Sequence, residues 1–483
     1  MAFKDGERSQ ELLFPESIES YIALDDPVRA YDAFVDHLNF KELELNLNDK
    51  QVGNSSYNPV SMLKLLVYGY SYGWRSSRKL ERAVKHNISF IWLMGGLAPD
   101  HKTISNFRKK NLNVLEKVLK QCARMCYELD LIDGNIFFVD GTKIRANASR
   151  SNNYTHKSYK KKLQQVDEEI EKALAEINKI DELEQDEPSL VKMKKELGDK
   201  TNLKQAILTA MEKFETIGIK TKNGKERSVN QTDPQSALLS SIHGTHVAYN
   251  IQSVVDDKNG LIVSTDACDD SSDVNQFSNQ VKKAEEILSK QSLFAVADAG
   301  YANTEKLAEI DERGTTVIVP SKRQALHSEE SKYSKSHFTY DKDKDCYYCP
   351  AGKTLEFSKA NSNSSRKKYF FSDPKTCLEC PNFGDCTSSQ KGRQIVRPYN
   401  EDIKQKLEDQ YLKPENQKIY RYRKEKVEHP FGHIKHNLGI RNFLVRGRQG
   451  ALAEFSIGAT CFNISRLITI LGGVQNLIKT LAS

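Results

Sequence analysis

Apolar residues recur at helical spacing along the first part of the chain. Residues 58–129 follow this pattern, and Pro59 stands where a helix could begin. Gly95–Gly96 interrupts the pattern, and a basic segment starts at Asp100. Short helices joined by a glycine-containing turn and followed by a basic helix are typical of a helix-turn-helix unit. A helical bundle with a solvated basic face fits the same pattern. The candidate DNA contacts are Arg75, Arg78, Lys102 and Arg108.

Short apolar runs replace the helical spacing near residue 135. The first run, 135–140, ends in Asp140 and is typical of a buried strand. Residues 220–241 are polar and predict a loop. Further strands are predicted at 246–255, 260–265, 293–297 and 315–320, with helices at 274–290 and 301–311. This order predicts an α/β domain.

Two segments interrupt the α/β pattern. Apolar residues recur at three- and four-residue steps from Leu163 to Leu183, and Pro188 separates them from further amphipathic segments. This predicts an antiparallel helical hairpin, for which core packing, a dimer contact or a DNA-clamping arm are all compatible roles. Residues 325–395 are polar and hold five of the nine cysteines, which predicts a loop-rich insertion.

The cysteines of this second segment have the spacing of metal ligands. Cys346 and Cys349 form one CxxC pair, Cys377 and Cys380 form another, and Cys386 follows. Two such pairs predict a tetrahedral, zinc-ribbon-like Zn²⁺ site built from four of the five thiols. Cys386 could replace one ligand or stay free, and an unmetallated loop or a redox role fits the same residues.

Three acids are candidates for chemistry. Asp140 and Asp298 each end a predicted buried strand, and Glu428 lies in a basic helical segment. Carboxylates that converge on two divalent cations are the basis of two-metal phosphoryl transfer, and Mg²⁺ or Mn²⁺ suits such oxygen ligands. A turn-initiating role for Asp140 and Asp298 is the alternative. The rival acids after a strand are Asp266, Asp269, Asp270 and Asp273, and Glu425 is the rival near Glu428.

The segment around Glu428 is dense in cations and aromatic residues. Tyr420, Arg423 and Lys435 are its candidate DNA contacts, because cations neutralise phosphates and tyrosine stacks on bases. A solvated helix face paired with nearby acids is the alternative. Pro430 predicts a kink or a restart of the helix.

Composition adds little that is specific. The net charge of +7 and pI near 8.7 are compatible with nucleic-acid binding. The start of the chain has no apolar stretch typical of a signal peptide, and the apolar segment 451–471 contains polar residues, so no membrane partner is expected.

Three ordered blocks, VDGTKIRANAS, VADAGYAN and YRYRKEKVEHPFGHIK, resemble the acid-bearing blocks of bacterial insertion-sequence DDE transposases. The pieces NPVSMLKLLVYGYSYGWRSSRKLER and PDHKTISNFRKKN resemble the helical N-terminal domain of one group of these enzymes, which also carries a cysteine-rich insertion. The resemblance implies a ribonuclease-H-like fold with Asp140, Asp298 and Glu428 as catalytic acids. Lys435 keeps the expected distance from Glu428, whereas Arg423 is one residue out of register.

The resemblance also implies the function. We expect a transposase that cleaves the ends of its own element with Mg²⁺ (or Mn²⁺), joins the 3′-OH ends to target DNA, and works as a homodimer in the cytoplasm, nucleoid-associated when bound to DNA. A metal-dependent nuclease without strand transfer and an inactive DNA-binding derivative are the alternatives. The expected parts are a helical N-terminal domain (1–130), a catalytic domain (131–150, 226–324 and 396–483), a helical insertion (151–225) and a cysteine-rich insertion (325–395).

Overall fold

The computed structural model describes residues 17–47, 57–181, 188–221, 223–241, 244–268, 270, 272–326, 331–361 and 367–482. The chain divides into two compact units. The first comprises residues 1–272, 282–291 and 424–483, and the second comprises residues 273–281 and 292–423.

The N-terminal part of the first unit is helical, as predicted. Its helices are α1 (Pro27–His37), α2 (Phe40–Leu43), α3 (Pro59–Ser71), α4 (Ser77–His86), α5 (Ile88–Leu93), α6 (His101–Lys110) and α7 (Leu112–Glu128). Pro59 begins α3, and the Asn58 side chain caps it by accepting a hydrogen bond from the Val60 N–H at 2.8 Å. Asp100 caps α6 in the same way, at 2.6 Å from the Thr103 nitrogen.

Most strands of the first unit pair around one long central strand, and two short strands form a separate pair. The strands are β1 (Ile136–Arg145), β2 (Asn153–Thr155), β3 (Ser228–Asn230), β4 (Ala237–Ser241), β5 (Gly244–Asp256) and β6 (Ile262–Cys268). β5 pairs antiparallel with β1 along one edge, and with β4 and then β6 along the other. β3 and β4 lie where a loop was predicted, because β3 is very short and pairs with the distant β2, and β4 is a short strand that forms a hairpin with β5. β1 continues beyond Asp140 to Arg145, so Asp140 does not end its strand as predicted.

The predicted helical hairpin is present. α8 (His156–Asp181) and α9 (Pro188–Ile217) pack against each other around Tyr159, Ile207 and Phe214. The ion pairs Asp167–Lys204 and Glu169–Lys200 show that the helices run antiparallel. Pro188 begins a single helix, where the sequence predicted two separate segments.

The second unit contains two kinds of β-structure. Its elements are α10 (Phe277–Leu288, which ends in the first unit), β7 (Phe294–Val296), α11 (Thr304–Asp311), β8 (Thr316–Ile318), α12 (Lys322–Ala325), β9 (Thr339–Asp341), β10 (Cys346–Tyr348), β11 (Thr354–Asn361), β12 (Lys367–Ser372), α13 (Pro374–Leu378), β13 (Gln394–Pro398), α14 (Glu401–Leu412) and α15 (Pro414–Gly432, which also ends in the first unit). β7 and β8 pair in parallel. β9 to β13 form a five-stranded antiparallel sheet in the order β13-β12-β11-β10-β9, where the sequence predicted loops.

The last two helices complete the core of the first unit. α16 (Arg448–Ile470) packs against α3, α7 and β6, and α17 (Val474–Ala482) packs against α1. Within α16, Asn463 is fully buried and its side chain bonds to both the N–H and the C=O of Ile262 in β6, at 2.9 and 2.8 Å. In the described residues no single helix could cross a membrane. Only α16 and α17 taken together are long and apolar enough, and these two helices are bent by 101° relative to each other.

Candidate functional site

Asp140 lies within β1, opposite Ser253 of β5. Its Oδ1 accepts a hydrogen bond from the N–H of Gly141 at 2.9 Å, and the residue is half-buried. Because side chains alternate along a strand, Asp140 and Thr142 project from the same face of the sheet. The central strand pair therefore holds the Asp140 carboxylate in a fixed position.

Lys435 brings a cation to this strand. It lies in a π-helical turn, His433–Asn437, and its Nζ donates a hydrogen bond to Oγ1 of Thr142. Burial lowers the pKa of Lys435, and the negative charge of Asp140 opposes that effect. The ammonium group therefore lies close to the Asp140 carboxylate, although the two residues are far apart in sequence.

Glu428 lies on α15 with its side chain 64% exposed. Lys424, one helical turn earlier, places its Nζ 3.9 Å from Oε1 of Glu428, an exposed pair of a kind that contributes little stability. The neighbouring Val427 is buried and anchors this part of the helix. The Glu428 carboxylate is therefore held on an ordered helix while it remains accessible.

α15 does not restart at Pro430. The helix continues to Gly432 and then widens into the π-helical turn that carries Lys435. Proline removes one helical N–H donor, and a π turn accommodates one more residue than an α turn. The part of α15 between Arg423 and Glu428 is regular α-helix, so the π turn does not account for the extra residue between them.

Asp298 belongs to the second unit and lies just after β7. Its Oδ1 accepts a hydrogen bond from the N–H of Gly300 at 2.7 Å. A Cβ atom at Gly300 would lie 2.8 Å from Oδ1 of Asp298 and 3.9 Å from Oδ2 of Asp273, so two carboxylates face this glycine. Burial raises the pKa of Tyr420, and the charge of Asp298 acts in the same direction, so these two residues are also close. The Arg423 guanidinium lies 5.7 Å from the centre of the Tyr420 ring.

Of the rival acids, Asp266 has local basic partners. Its Oδ1 lies 3.8 Å from Lys283 Nζ and 3.5 Å from an Arg448 guanidinium nitrogen. Asp269 lies outside the described residues. Across the described ranges, no three His, Cys, Asp or Glu side chains form a group that could hold a metal ion as they stand.

Two of the predicted DNA contacts are buried. Arg75 donates hydrogen bonds to the carboxylate of Glu454 at 2.8 Å and to the carbonyls of Asn442 and Gly439 at 2.9 and 2.7 Å. Arg108 donates to the Arg75 carbonyl at 2.5 Å. Both side chains are therefore buried and engaged in internal bonds, and this structure does not present them on the surface for DNA.

The other two predicted contacts are exposed, and α4 adds more cations. Arg78 and Lys102 are open to solvent, as are Lys79, Arg82 and His86. These last three were not among the predicted contacts, although their spacing on a helix indicates a basic face. The groove beside them has a volume of about 390 Å³ and is lined by Trp74, Lys79, Arg82, Ala83, His86 and Asn87.

The cysteines of the second unit are divided by the fold. Cys346 is buried within β10. The other four thiols, of Cys349, Cys377, Cys380 and Cys386, line one small cavity. The structure therefore separates Cys346 from the remaining members of the predicted metal site.

Two protein-family models match the chain. One, described as Transposase DDE domain, covers residues 348–468, and the other, described as Transposase domain (DUF772), covers residues 16–110. Both matches are to transposase models, and together they indicate an insertion-sequence DDE transposase. The first match includes Glu428, whereas Asp140 and Asp298 lie outside both matches. No curated protein and no solved structure matches the chain.

Proposed function

We propose that this transposase binds the ends of its insertion sequence, cleaves them by Mg²⁺-dependent hydrolysis and joins the 3′-OH ends to target DNA. In the first step a water oxygen attacks the phosphorus atom at the element end, and the 3′ oxygen leaves as a hydroxyl. In the second step that hydroxyl attacks a phosphodiester of the target and displaces its 3′ oxygen. Both steps are in-line displacements, so one site serves for both.

Asp140, Asp298 and Glu428 are the proposed catalytic acids. They offer only carboxylate oxygens, which are the ligands that Mg²⁺ and Mn²⁺ prefer. DDE transposases generally use divalent metal ions. Two such ions, when bound, would neutralise the phosphate charge and activate the attacking oxygen. A ribonuclease-H-like arrangement of the sheet is part of the same proposal.

The contact of Lys435 with the Asp140 strand is the observation that carries the proposal. The sequence separates Asp140 from the Glu428–Lys435 segment by most of the chain, yet the Lys435 ammonium group bonds to Thr142, beside Asp140. A cation next to a catalytic carboxylate can hold the DNA phosphate that is to be cut. In the second unit, Asp298 lies close to Tyr420.

The exposed face of α4 is the proposed surface for DNA phosphates in the N-terminal part, together with Lys102. Arg78, Lys79 and Arg82 are the main cations of this face. Phosphate contacts set orientation and affinity without reading sequence. Tyr420 and Arg423 are the proposed contacts near the catalytic acids. Because two element ends must be joined together, a homodimer in the DNA complex is proposed as well.

The test uses oligonucleotides that carry the element ends, with Mg²⁺ or Mn²⁺ and a target plasmid. Asp140→Asn, Asp298→Asn and Glu428→Gln should each abolish cleavage and joining while DNA binding is retained. Glu425→Gln is the matched control, because Glu425 is an exposed acid on the same helix and should be dispensable. Full activity in any of the three variants removes that residue from the site.

The two alternatives give different results in this assay. Cleavage without joining identifies a metal-dependent nuclease. Binding without cleavage by the unaltered protein identifies an inactive DNA-binding derivative.

A further inference from the structure

Four of the five cysteines in the second unit surround one cavity. We define this thiol cluster as Cys349, Cys377, Cys380 and Cys386. The cavity has a volume of about 30 Å³. A cavity needs roughly 10–15 Å³ by this measure to hold one water molecule, so the space suits a single ion.

The backbone explains why Cys346 is not part of the cluster. Side chains alternate along β10, so Cys346 and Tyr347 lie on opposite faces of the strand, and Cys349 follows just after the strand ends. Tyr347 packs into the core of the antiparallel sheet, and Cys349 and Cys386 pack against that same core. Cys346 therefore does not line the cavity that the other four thiols share.

Cys349 begins a tight turn that is typical of a metal-binding knuckle. Gly352 has a positive φ of 73°, and its N–H bonds to the Cys349 carbonyl at 2.8 Å. The N–H of Lys353 points at the Cys349 sulfur at 3.3 Å. The turn therefore holds the Cys349 sulfur next to a backbone donor.

Backbone hydrogen bonds between residues close in sequence bring the other three thiols together. The N–H of Cys380 bonds to the Cys377 carbonyl at 3.1 Å, so the two residues lie on one turn at the end of α13. The N–H of Cys386 bonds to the Asn382 carbonyl at 2.9 Å, in a second turn that returns the chain to the cavity. The chain thus supplies one thiol from the sheet and three from the α13 segment.

A cation stands beside the cluster. Arg393 also lines the cavity and donates a hydrogen bond to the Cys386 carbonyl at 2.9 Å. Its charge lowers the pKa of the Cys386 thiol, although burial raises that pKa overall. Four thiolates around a divalent cation carry a net charge of −2, which a neighbouring guanidinium partly compensates.

We propose that the thiol cluster binds one Zn²⁺ ion, which ties the α13 segment to the antiparallel sheet. Four cysteine sulfurs are the ligand set of a structural zinc site. As the side chains stand, they are not drawn together around an ion, so binding requires the thiols to rotate about their side-chain bonds. The four thiol protons pass to solvent when the ion binds. None of the proposed catalytic acids belongs to this thiol cluster.

The test measures metal content in the full-length protein, purified under reducing conditions and dialysed against trace Zn²⁺. Elemental analysis should give one zinc per chain for the unaltered protein and for Cys346→Ala. Cys386→Ala and Cys380→Ala should each lose most of the zinc. Cys346→Ala is the matched control, because this cysteine is close in sequence to the cluster and buried outside it.

A second measurement needs no substitution and therefore still tests the proposal if the variants fail to fold. Co²⁺ added to the unaltered, zinc-free protein should give the visible absorption bands of a tetrahedral thiolate site, and Zn²⁺ should remove them. Absence of these bands together with zinc-free protein overturns the proposal, as does zinc loss in Cys346→Ala with retention in Cys386→Ala. Iron in place of zinc overturns the choice of metal.

Discussion

Replacing Arg75 by methionine should destabilise the first unit by about 3–5 kcal/mol, the usual cost of removing one partner from a buried ion pair. Arg75 bonds to Glu454 and to two backbone carbonyls, and the Glu454 side chain is only 1% exposed. Methionine fills a similar volume but leaves the Glu454 charge without its cation. The loss of stability therefore comes mainly from a buried Glu454 carboxylate that has lost its cation.

The chain contains a probe for this experiment. Its only two tryptophans, Trp74 and Trp92, both lie in the N-terminal helical part, and Trp74 stacks on Phe90 with ring centres 5.4 Å apart. Urea unfolding followed by tryptophan fluorescence should show a lower midpoint for Arg75→Met with an unchanged slope. Arg78→Met is the control, because Arg78 is exposed on α4 and should leave the midpoint unaltered while weakening DNA binding.

A double substitution separates the charge from the packing. Adding Glu454→Gln should restore part of the stability lost in Arg75→Met, because glutamine removes the charge and can still accept the hydrogen bond from the Leu444 nitrogen, 2.7 Å from Glu454 Oε2. If Arg75→Met unfolds at the wild-type midpoint but binds DNA weakly, the buried pair is not stabilising and Arg75 acts at the DNA. That result would refute the reasoning.

Three further predictions each concern a single residue. Burial raises the pKa of Asp256 to about 7, from a usual 3.8. The protonated Asp256 side chain therefore adds up to about 4 kcal/mol to the free energy of unfolding below pH 4, and this contribution is lost as the pH rises through 7. Asp256→Asn should flatten the plot of unfolding midpoint against pH over this range. An unchanged slope would contradict the prediction. Gly300→Ala should turn the Asp298 carboxylate, since the added Cβ would lie 2.8 Å from Oδ1, and lower end cleavage without lowering the unfolding midpoint; wild-type cleavage would count against a catalytic Asp298. Arg82→Gln should reduce the slope of log affinity against log salt by about 1, with Lys479→Gln of α17 as the control; an unaltered slope excludes Arg82 as a phosphate contact.

Residues with a local signal were predicted well. Pro59 and Asp100 begin helices, and the α8–α9 hairpin follows its apolar spacing, because these features depend on neighbours in the sequence. β3, β4 and the five-stranded sheet were missed, because most of their strands are too short to give a clear alternation of apolar and polar residues.

In the candidate site, too, features that depend on neighbouring residues were predicted better than features that depend on distant contacts. The resemblance to DDE transposases linked Lys435 with Glu428, and the structure adds the contact of Lys435 with the Asp140 strand. Basic residues were correctly found in the N-terminal helices, but composition could not tell the buried Arg75 from the exposed Arg82, because exposure depends on how α16 packs. For the same reason the CxxC spacing of Cys346 suggested a ligand, whereas strand alternation turns that side chain away.

Asn463 has a consequence for how copies of this chain can associate. Its carboxamide occupies both backbone groups of Ile262 on the outer edge of β6, so a side chain stands where a further strand would bond. Open strand edges are places where molecules join into extended sheets. At this point a second copy could add a strand only by displacing α16. The helix therefore prevents edge-to-edge strand pairing with another molecule at this point of the sheet.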